Sequence, residues 1–366
     1  MKVAILTLSP GINYGNLLQA YALQTILESL GHEATILGKN RIQPEPPCHV
    51  YLKRIIQKKL LNKNVHVFRE RDSNQYYLQS VKNTILFVKK YLHIREIKSL
   101  QQLQPTDYDA IIVGSDQVWR HSYFTVGWQT SIADAYLAFS KGWSIKRVAY
   151  AASFGTQEWE YSIDETKLCS VHLQSFNGVS VREDIGVELC QKYLNVQAQH
   201  VLDPTMLLEK EDYIRLIQQA NVPVSSGDLL YYVLDETEAK RSIAELIESK
   251  GKFTLFRVNE PFSKKIVQPS VEQWLRGFYD AKFIITDSFH ACVFSILFNK
   301  PFIVIGNEKR GLSRFKSLLK MIGQEYRLVT EESYFEMREC VLSCPNVDLT
   351  CLRQYSVDFL KSSIVN

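Results

Sequence analysis

The residues of this chain best suited to chemistry are a serine and a histidine, Ser288 and His290, which directly follow the apolar run Phe283–Thr286. A histidine can give or take a proton near neutral pH because its ordinary pKa is about 6.5. The apolar residues 291–298 predict a helix that Ser288 could cap, and the free N–H groups at a helix start favour an anion. The pattern therefore indicates an acid or base beside an anion-binding helix end.

Cations follow two other apolar runs. Arg182 comes directly after Gly178–Val181, where a guanidinium can bind a phosphate or a carboxylate through two parallel hydrogen bonds. An ion pair with Glu183 or Asp184 is the alternative role. After the run 301–305, three cations lie within six residues: Lys309, Arg310 and Arg314. That density favours an anion site over a merely solvated surface.

Polar residues that could contact a sugar follow the remaining runs. The turn after the first apolar run, Val3–Leu8, lacks the GxGxxG spacing of dinucleotide-binding proteins, and a plain turn with Asn16 as the helix cap is an equal alternative. The carboxylate of Asp116, which follows Ala110–Val113, could orient a sugar hydroxyl or a neighbouring histidine. Its alternative role is only to cap a helix. The candidate sugar contacts are Asn13, Gly15, Asn16, Asp116 and Ser153.

The elements that must position these residues alternate between short β-rich runs and helical patterns, which predicts parallel sheets with crossover helices. Ligands of such sheets bind outside the carboxyl ends of strands, and every candidate above follows a predicted strand. We predict an α/β protein with two Rossmann-like domains facing across a cleft. The expected domains are 1–208, with a basic helical insertion at about 50–104, and 209–348. A C-terminal helix, 349–366, is expected to pack back on the first domain.

Composition excludes several classes of protein. With 46% hydrophobic and 22% charged residues among 366, the chain is typical of a globular protein. The first apolar run is too short for a signal peptide, and the longest one, near 283–305, is interrupted by polar residues. Seven scattered cysteines without a CxxC pair predict free thiols and no metal site. We therefore expect a cytoplasmic protein, and the net charge of +4 is modest for a nucleic-acid binder.

Five short motifs occur in order from about residue 5 to about residue 320. They are Asn13-Tyr14-Gly15-Asn16-Leu17-Leu18-Gln19-Ala20-Tyr21-Ala22-Leu23, Val113-Gly114-Ser115-Asp116-Gln117-Val118-Trp119, Ser180-Val181-Arg182-Glu183, Leu202-Asp203-Pro204-Thr205 and Thr286-Asp287-Ser288-Phe289-His290-Ala291. Together and in this order, they resemble the motifs of the polysaccharide pyruvyl transferase family.

The resemblance implies a fold like that of GT-B glycosyltransferases and a specific reaction. Members transfer the enolpyruvyl group of phosphoenolpyruvate to two hydroxyls of a sugar, which forms a cyclic pyruvate ketal and releases phosphate in surface polysaccharide biosynthesis. Arg182 would hold the anionic groups of the donor, and His290 would act as a general acid. Lys309 falls near the family's downstream basic position. Since the run Glu308-Lys309-Arg310 departs from the family pattern, Lys309, Arg310 and Arg314 all stay open as the phosphate ligand.

The expected partners follow from that reaction. Phosphoenolpyruvate is the donor, bound by Arg182, Ser288, His290 and the downstream cations, and no metal or other cofactor is expected. The acceptor is a sugar that could be nucleotide-linked, lipid-linked or polymeric. Catalysis is assigned to His290, Arg182 and Asp116. The alternatives are a GT-B glycosyltransferase with a nucleotide-sugar donor and a non-catalytic sugar-binding relative.

The positive charge is concentrated in the segment 51–71, which carries seven cations and one anion. Apolar residues at helical spacing in this segment predict an amphipathic helix. A solvated surface helix is the simpler interpretation. The other is peripheral contact with an anionic membrane at its inner face, or with the diphosphate of a lipid-linked acceptor.

Overall fold

The computed structural model of the protein describes residues 1–40, 42–258, 267–306, 312–331 and 342–365. Within these ranges the chain forms two α/β domains, each built on a fully parallel sheet, with a cleft between them. The predicted fold class, two Rossmann-like domains in a GT-B-like arrangement, is confirmed.

The first sheet has seven described strands. They are β1 (Lys2–Leu6), β2 (Glu33–Lys39), β3 (Ile94–Ile97), β4 (Ala110–Val113), β5 (Lys146–Ala152), β6 (Gly178–Val181) and β7 (Gln199–His200), in the order β3-β2-β1-β4-β5-β6-β7. The central strands β1 and β4 are buried along almost their whole length, as expected for a parallel sheet covered on both faces.

Seven helices belong to the described part of the first domain. They are α1 (Tyr14–Ser29), α2 (Cys48–Lys59), α3 (Arg69–Ser80), α4 (Thr84–Tyr91), α5 (His121–Trp128), α6 (Ile163–Leu173) and α7 (Asp184–Leu189). The helix α1 begins earlier than the sequence pattern suggested, because the cap is Asn13 and not Asn16. The side chain of Asn13 accepts a hydrogen bond of 3.1 Å from the N–H of Asn16.

The second sheet has five described strands in the order β12-β11-β10-β8-β9. They are β8 (Leu229–Tyr232), β9 (Leu255–Phe256), β10 (Phe283–Thr286), β11 (Phe302–Ile305) and β12 (Leu328–Val329). The helices that follow the first domain are α8 (Lys210–Ala220), α9 (Glu238–Gly251), α10 (Val271–Asp280), α11 (Phe289–Leu297), α12 (Leu312–Met321) and α13 (Thr350–Val365).

A single apolar core joins the two domains. It contains residues of α1, such as Leu17 and Leu18, together with residues of α10 and α11, such as Trp274 and Phe294. Burial of each large apolar side chain contributes roughly 1.5–3 kcal/mol. A stack of Tyr14 on Trp274, with ring centroids 5.4 Å apart, reaches directly from one domain to the other.

The C-terminal helix α13 packs on the first sheet, although it follows the second domain in the chain. Its Ser356 accepts a hydrogen bond of 3.1 Å from the N–H of Leu202. At Gly178, a Cβ would lie 2.0 Å from the hydroxyl of Ser363, so a glycine is needed where α13 meets β6.

Two further features bear on the sequence predictions. Among the described residues, no helix combines the length and the apolar character that crossing a bilayer requires. The cysteines that the structure describes are free thiols, as predicted.

Candidate active site

A cleft of about 450 Å³ lies between the carboxyl ends of the two sheets. Its first-domain wall comes from the turns after β1 and β4, and its second-domain wall from the turns after β8 and β10 and from α12. Of the candidate residues, the cleft is lined by Asn13, Gly15, Asn16, Asp116, Ser288, His290 and Arg314. Residues that follow strand ends in both domains therefore meet at one cleft.

His290 lies in the first turn of α11 and contacts the start of α1 on the opposite domain. A Cβ on Gly15 would be only 2.0 Å from Nδ1 of His290, so the imidazole lies directly against the backbone of α1. Only glycine leaves room for this approach. The histidine and the glycine, which are 275 positions apart in sequence, therefore form one contact across the cleft.

The other ring nitrogen of His290 faces a buried carboxylate, Asp203. The distance from Nε2 to Oδ2 is 3.7 Å, and Nε2 is buried without a hydrogen-bond partner among the described residues. Asp203 itself is held firmly, since its Oδ1 accepts hydrogen bonds from the N–H and the hydroxyl of Thr205, at 3.0 and 2.7 Å. Burial raises the pKa of Asp203, but His290 and Arg182 outweigh burial and keep this pKa well below its usual range.

Arg182 lies behind the cleft wall, with its side chain only 1% exposed. Its guanidinium contacts three carboxylates: Asp203 at 2.8 Å, Glu183 at 3.1 Å and Asp116 at 3.5 Å. These carboxylates overcome the effect of burial and raise the pKa of Arg182. The ring of Phe289, which lines the cleft, covers the guanidinium at 4.3 Å. A direct contact of Arg182 with a donor stays a prediction, whereas its ion pairs visibly position Asp203 and Asp116.

Asp116 and Ser153 lie on neighbouring strand ends but differ in accessibility. Asp116 lines the cleft and has a φ of 61°, a left-handed conformation that a non-glycine residue rarely adopts and that often marks functional sites. Ser153 is fully buried, and its hydroxyl donates to Glu183 at 2.8 Å and accepts from the N–H of Gly155. The structure therefore brings Asp116 to the cleft but places Ser153 beneath it.

The turn after β10 is organised by Asp287. This buried carboxylate accepts hydrogen bonds from the N–H groups of Leu234 and Asp235 and forms a 2.8 Å ion pair with Lys240. The next residue, Ser288, occupies the cap position of α11, but its side chain makes no capping hydrogen bond with a described residue. The expected capping bond is absent, which leaves the Ser288 hydroxyl at the cleft surface.

Of the three downstream cations, Arg314 is the one whose position the structure describes. It lies in the first turn of α12, lines the cleft and is 8% exposed. Burial and the positive charge of Arg182 lower the pKa of Arg314 to about 10. Lys309 and Arg310 lie outside the described residues.

Aromatic and polar residues that the sequence did not single out complete the cleft. Trp274 and Tyr232 meet edge to face at 5.6 Å, and Tyr14 donates a hydrogen bond of 2.8 Å to the carbonyl of Pro269. Gln268 lines the same region and is 7% exposed. Their positions along the chain carry no signal for a site, because a buried aromatic residue in a helix or strand usually belongs to a core.

Sequence comparison agrees with this arrangement. A sequence model described as polysaccharide pyruvyl transferase matches residues 13–309, which is more than half of the chain. The chain belongs to the polysaccharide pyruvyl transferase family. This family is a family of transferases. Among curated proteins, none is significantly similar to the chain in sequence.

Solved structures similar to this family member share little sequence with it. UDP-GlcNAc 2-epimerase from Neisseria meningitidis, bound to UDP-GlcNAc, is 11% identical with a TM-score of 0.49, over 100% of both chains. The UDP-GlcNAc 2-epimerase from Methanocaldococcus jannaschii is 13% identical with a TM-score of 0.49, over 99% of both chains. Escherichia coli heptosyltransferase WaaC with ADP is 13% identical with a TM-score of 0.37, over 85% of this chain and 92% of that chain. Similarity at this level says nothing about the ligand of this chain.

Some buried charged residues of the site were missed in the sequence, among them Asp203 and Lys240. Asp203 belongs to the motif Leu202-Asp203-Pro204-Thr205, so its place in a family-like motif was a usable signal. Lys240 lies in the first turn of α9, where a lysine resembles any surface residue, and only its 1% exposure distinguishes it.

Proposed function

We propose that the protein transfers the enolpyruvyl group of phosphoenolpyruvate to two hydroxyls of a sugar, with formation of a cyclic pyruvate ketal and release of phosphate, in surface polysaccharide biosynthesis. Family membership supports a transferase of this class. The observation that carries the proposal is the position of His290, which lies against Gly15 of the first domain and beside the buried Asp203. An acid–base group at this place contacts both walls of the cleft.

The donor, which carries a carboxylate and a phosphate, is assigned to the second-domain wall. Arg314 supplies a cation there, since a pKa of about 10 leaves it protonated at neutral pH. The N–H groups at the start of α11 and the hydroxyl of Ser288 supply neutral donors toward the same anion. Lys309 and Arg310 remain candidates for the phosphate, because they directly precede α12 in the sequence.

The proposed first step is protonation of the donor's methylene carbon by His290. The carbon gains the proton, and C2 becomes an oxocarbenium-like centre. Because Nε2 is buried beside Asp203, we assign the proton transfer to Nδ1, the nitrogen next to Gly15. A positioned acid of this kind contributes about 10²–10⁴-fold to the rate.

The acceptor sugar is assigned to the first-domain wall. One sugar hydroxyl attacks C2 and loses its proton, for which Asp116 is the acceptor in our proposal. A second hydroxyl of the same sugar then displaces the phosphate, which leaves with the C2–O bonding electrons and takes up the proton of this hydroxyl. Asn13 and Asn16 shape this wall: Asn13 caps α1, and Asn16 donates to the carbonyl of Leu8.

Arg182 acts in this scheme through other residues. It pairs with the carboxylates of Asp203 and Asp116, which lie on the two sides of its guanidinium. Because Asp203 faces His290, Arg182 thereby fixes the acid, His290, relative to the base, Asp116. We therefore assign it a positioning role, in contrast to the direct donor contact that the family resemblance implied.

The test is phosphate release from phosphoenolpyruvate with a panel of sugar acceptors. We expect acceptor-dependent release, and a decrease in kcat of about 10²–10⁴-fold for His290→Gln. His172→Gln is the matched control, since His172 lies on α6 and does not line the cleft. Release of a nucleoside diphosphate from a nucleotide-sugar, with none from phosphoenolpyruvate, would show a glycosyltransferase instead. Sugar binding without turnover, unchanged in His290→Gln, would show a non-catalytic relative.

A further inference from the structure

The helix α2 carries an apolar strip that the rest of the protein leaves uncovered. None of its residues, all of which the structure describes, is buried. Leu52 and Ile56 are 61% and 43% exposed, and Leu60, at the end of the helix, is 76% exposed. These residues are spaced four apart and therefore lie on one face. Scattered apolar residues are normal on a protein surface, but a continuous strip indicates an interaction site.

Lysines border this strip on both sides. At about 100° per helical residue, Lys53 and Lys59 fall on opposite flanks of the line from Leu52 to Leu60. Both lysines are exposed. The face thus combines an apolar centre with a cationic rim, the pattern of helices that lie in the interface of a membrane.

The strip is fixed to the protein by the neighbouring helix α3. Arg54 forms two hydrogen bonds with Glu70, of 2.6 and 2.8 Å, and the rings of Tyr51 and Phe68 lie 5.5 Å apart. Arg54 neutralises Glu70, which is the one anion of the segment 51–71. The uncovered face therefore keeps a net positive charge and does not need to unfold to become accessible.

The helix α3 lines a groove that borders the active-site cleft. Tyr77 and Leu78 of α3 line a groove of about 280 Å³, and Ser9 and Gly11 line both this groove and the cleft. The helix that holds α2 in place thus forms part of a groove next to the cleft.

We propose that the α2 face, defined by Leu52, Lys53, Ile56, Lys59 and Leu60, docks on a bilayer surface rich in anionic lipids. The apolar side chains would enter the boundary between headgroups and acyl chains, and the lysines would contact lipid phosphates. Charge complementarity favours this occupant, because a cationic rim around an apolar strip matches an anionic headgroup layer over an apolar interior. The docking is independent of the reaction proposed above.

Vesicle co-sedimentation of the full chain tests the proposal. We expect binding to vesicles of phosphatidylcholine mixed with phosphatidylglycerol and little binding to phosphatidylcholine alone. Binding to the anionic vesicles should weaken strongly at about 1 M salt, where the screening length is about 3 Å. Absence of binding to the anionic vesicles at low salt would overturn the proposal.

Two double variants separate the charge from the apolar strip. Lys53→Glu with Lys59→Glu should lower partitioning into anionic vesicles about 30-fold or more, since each lysine near such a surface accounts for about fivefold. Leu52→Ser with Ile56→Ser should lower it at least about tenfold, through lost apolar insertion. Far-UV circular dichroism checks that the variants remain folded.

Matched controls use exposed residues elsewhere on the protein. Ile163→Ser with Val171→Ser removes two apolar residues of α6 that are 76% and 66% exposed. Lys250→Glu with Lys252→Glu reverses two exposed lysines at the end of α9. Both controls should bind vesicles like the parent chain, and an equal loss in them would contradict a specific face.

Size-exclusion chromatography with light scattering tests the other occupant, a second copy of the chain. If the parent chain were a dimer and Leu52→Ser with Ile56→Ser made it a monomer, the face would be a contact between copies and the membrane proposal would be wrong.

Discussion

Asp203 connects the charged residues of the site at the scale of single side chains. One of its oxygens is held by Thr205, and the other lies between Arg182 at 2.8 Å and His290 at 3.7 Å. A charged carboxylate in this position orients the imidazole and balances its charge when it is protonated. It also gives the buried Arg182 one of its three anionic partners, so the same residue serves stability and the proposed chemistry.

Replacement of Asp203 by Asn should lower the free energy of unfolding by an amount that depends on pH. The pKa of Asp203 is lower in the folded protein than in the unfolded chain, where it is about 3.9. Its charge therefore stabilises the fold above about pH 4, and the contribution is lost as pH falls through the lower, folded pKa. At pH 7 we expect Asp203→Asn to lower the free energy of unfolding by about 3 kcal/mol or more.

Urea unfolding of the parent chain and the variant between pH 7 and pH 3.5 measures this difference. It should be constant down to about pH 5 and shrink below pH 4. Asp164→Asn, at an exposed position of α6, is the control and should show a small difference throughout. A difference that stays the same down to pH 3.5 would mean that the charge of Asp203 is not the cause.

At the scale of elements, the site depends on the approach of two helix starts from different domains. The first turns of α1 and α11 meet where His290 contacts Gly15. The two helices bring their N–H groups to the same cleft, which favours an anionic ligand there. The geometry tolerates no side chain on Gly15, so this glycine sets the distance between the walls.

Gly15→Ala should therefore displace the imidazole. The added Cβ would be 2.0 Å from Nδ1 of His290, so the ring or the domain must move. We expect kcat for phosphoenolpyruvate turnover to fall at least about 100-fold, as for a misplaced general acid. Gly127→Ala in α5 is the control, since a Cβ there meets nothing within 4 Å, and it should retain activity. Full activity of Gly15→Ala would contradict the role of this contact.

The local hydrophobic pattern of the sequence predicted the bounds of strands well where all or nearly all residues of a strand are buried. The bounds of Ala110–Val113, Gly178–Val181 and Phe283–Thr286 agree with the sequence prediction, because each apolar run ends at a glycine or a charged residue. The edge strand β3 was not predicted. Its sequence Ile94-Arg95-Glu96-Ile97 has two charged residues, and it forms a strand because it pairs with β2, a contact far away in sequence.

At the scale of the whole molecule, the shared core makes the two domains depend on each other. The cluster that contains Leu17 of α1 also contains Phe294 of α11, and α13 crosses back to the first sheet after the second domain is complete. Neither domain can lose its structure without exposing apolar surface of the other. A large apolar interface of this kind favours joint unfolding.

The chain should therefore unfold in a single cooperative transition. We expect far-UV circular dichroism and tryptophan fluorescence to give the same urea midpoint, and the calorimetric and van't Hoff enthalpies to agree. Two separated transitions, or a midpoint that differs between the two probes, would show that the interface contributes less than the cores within the domains.

The sequence by itself determined the class of fold, the family and the positions of most candidate residues, because strand-end residues and short motifs are local features of the chain. Only the tertiary structure decided which of them meet. It placed Gly15 against His290, enclosed Arg182 among three carboxylates, placed Ser153 beneath the cleft and left the α2 face uncovered. Distances and burial of this kind depend on contacts between residues far apart in the chain, and the packing of two sheets, not the local pattern, sets them.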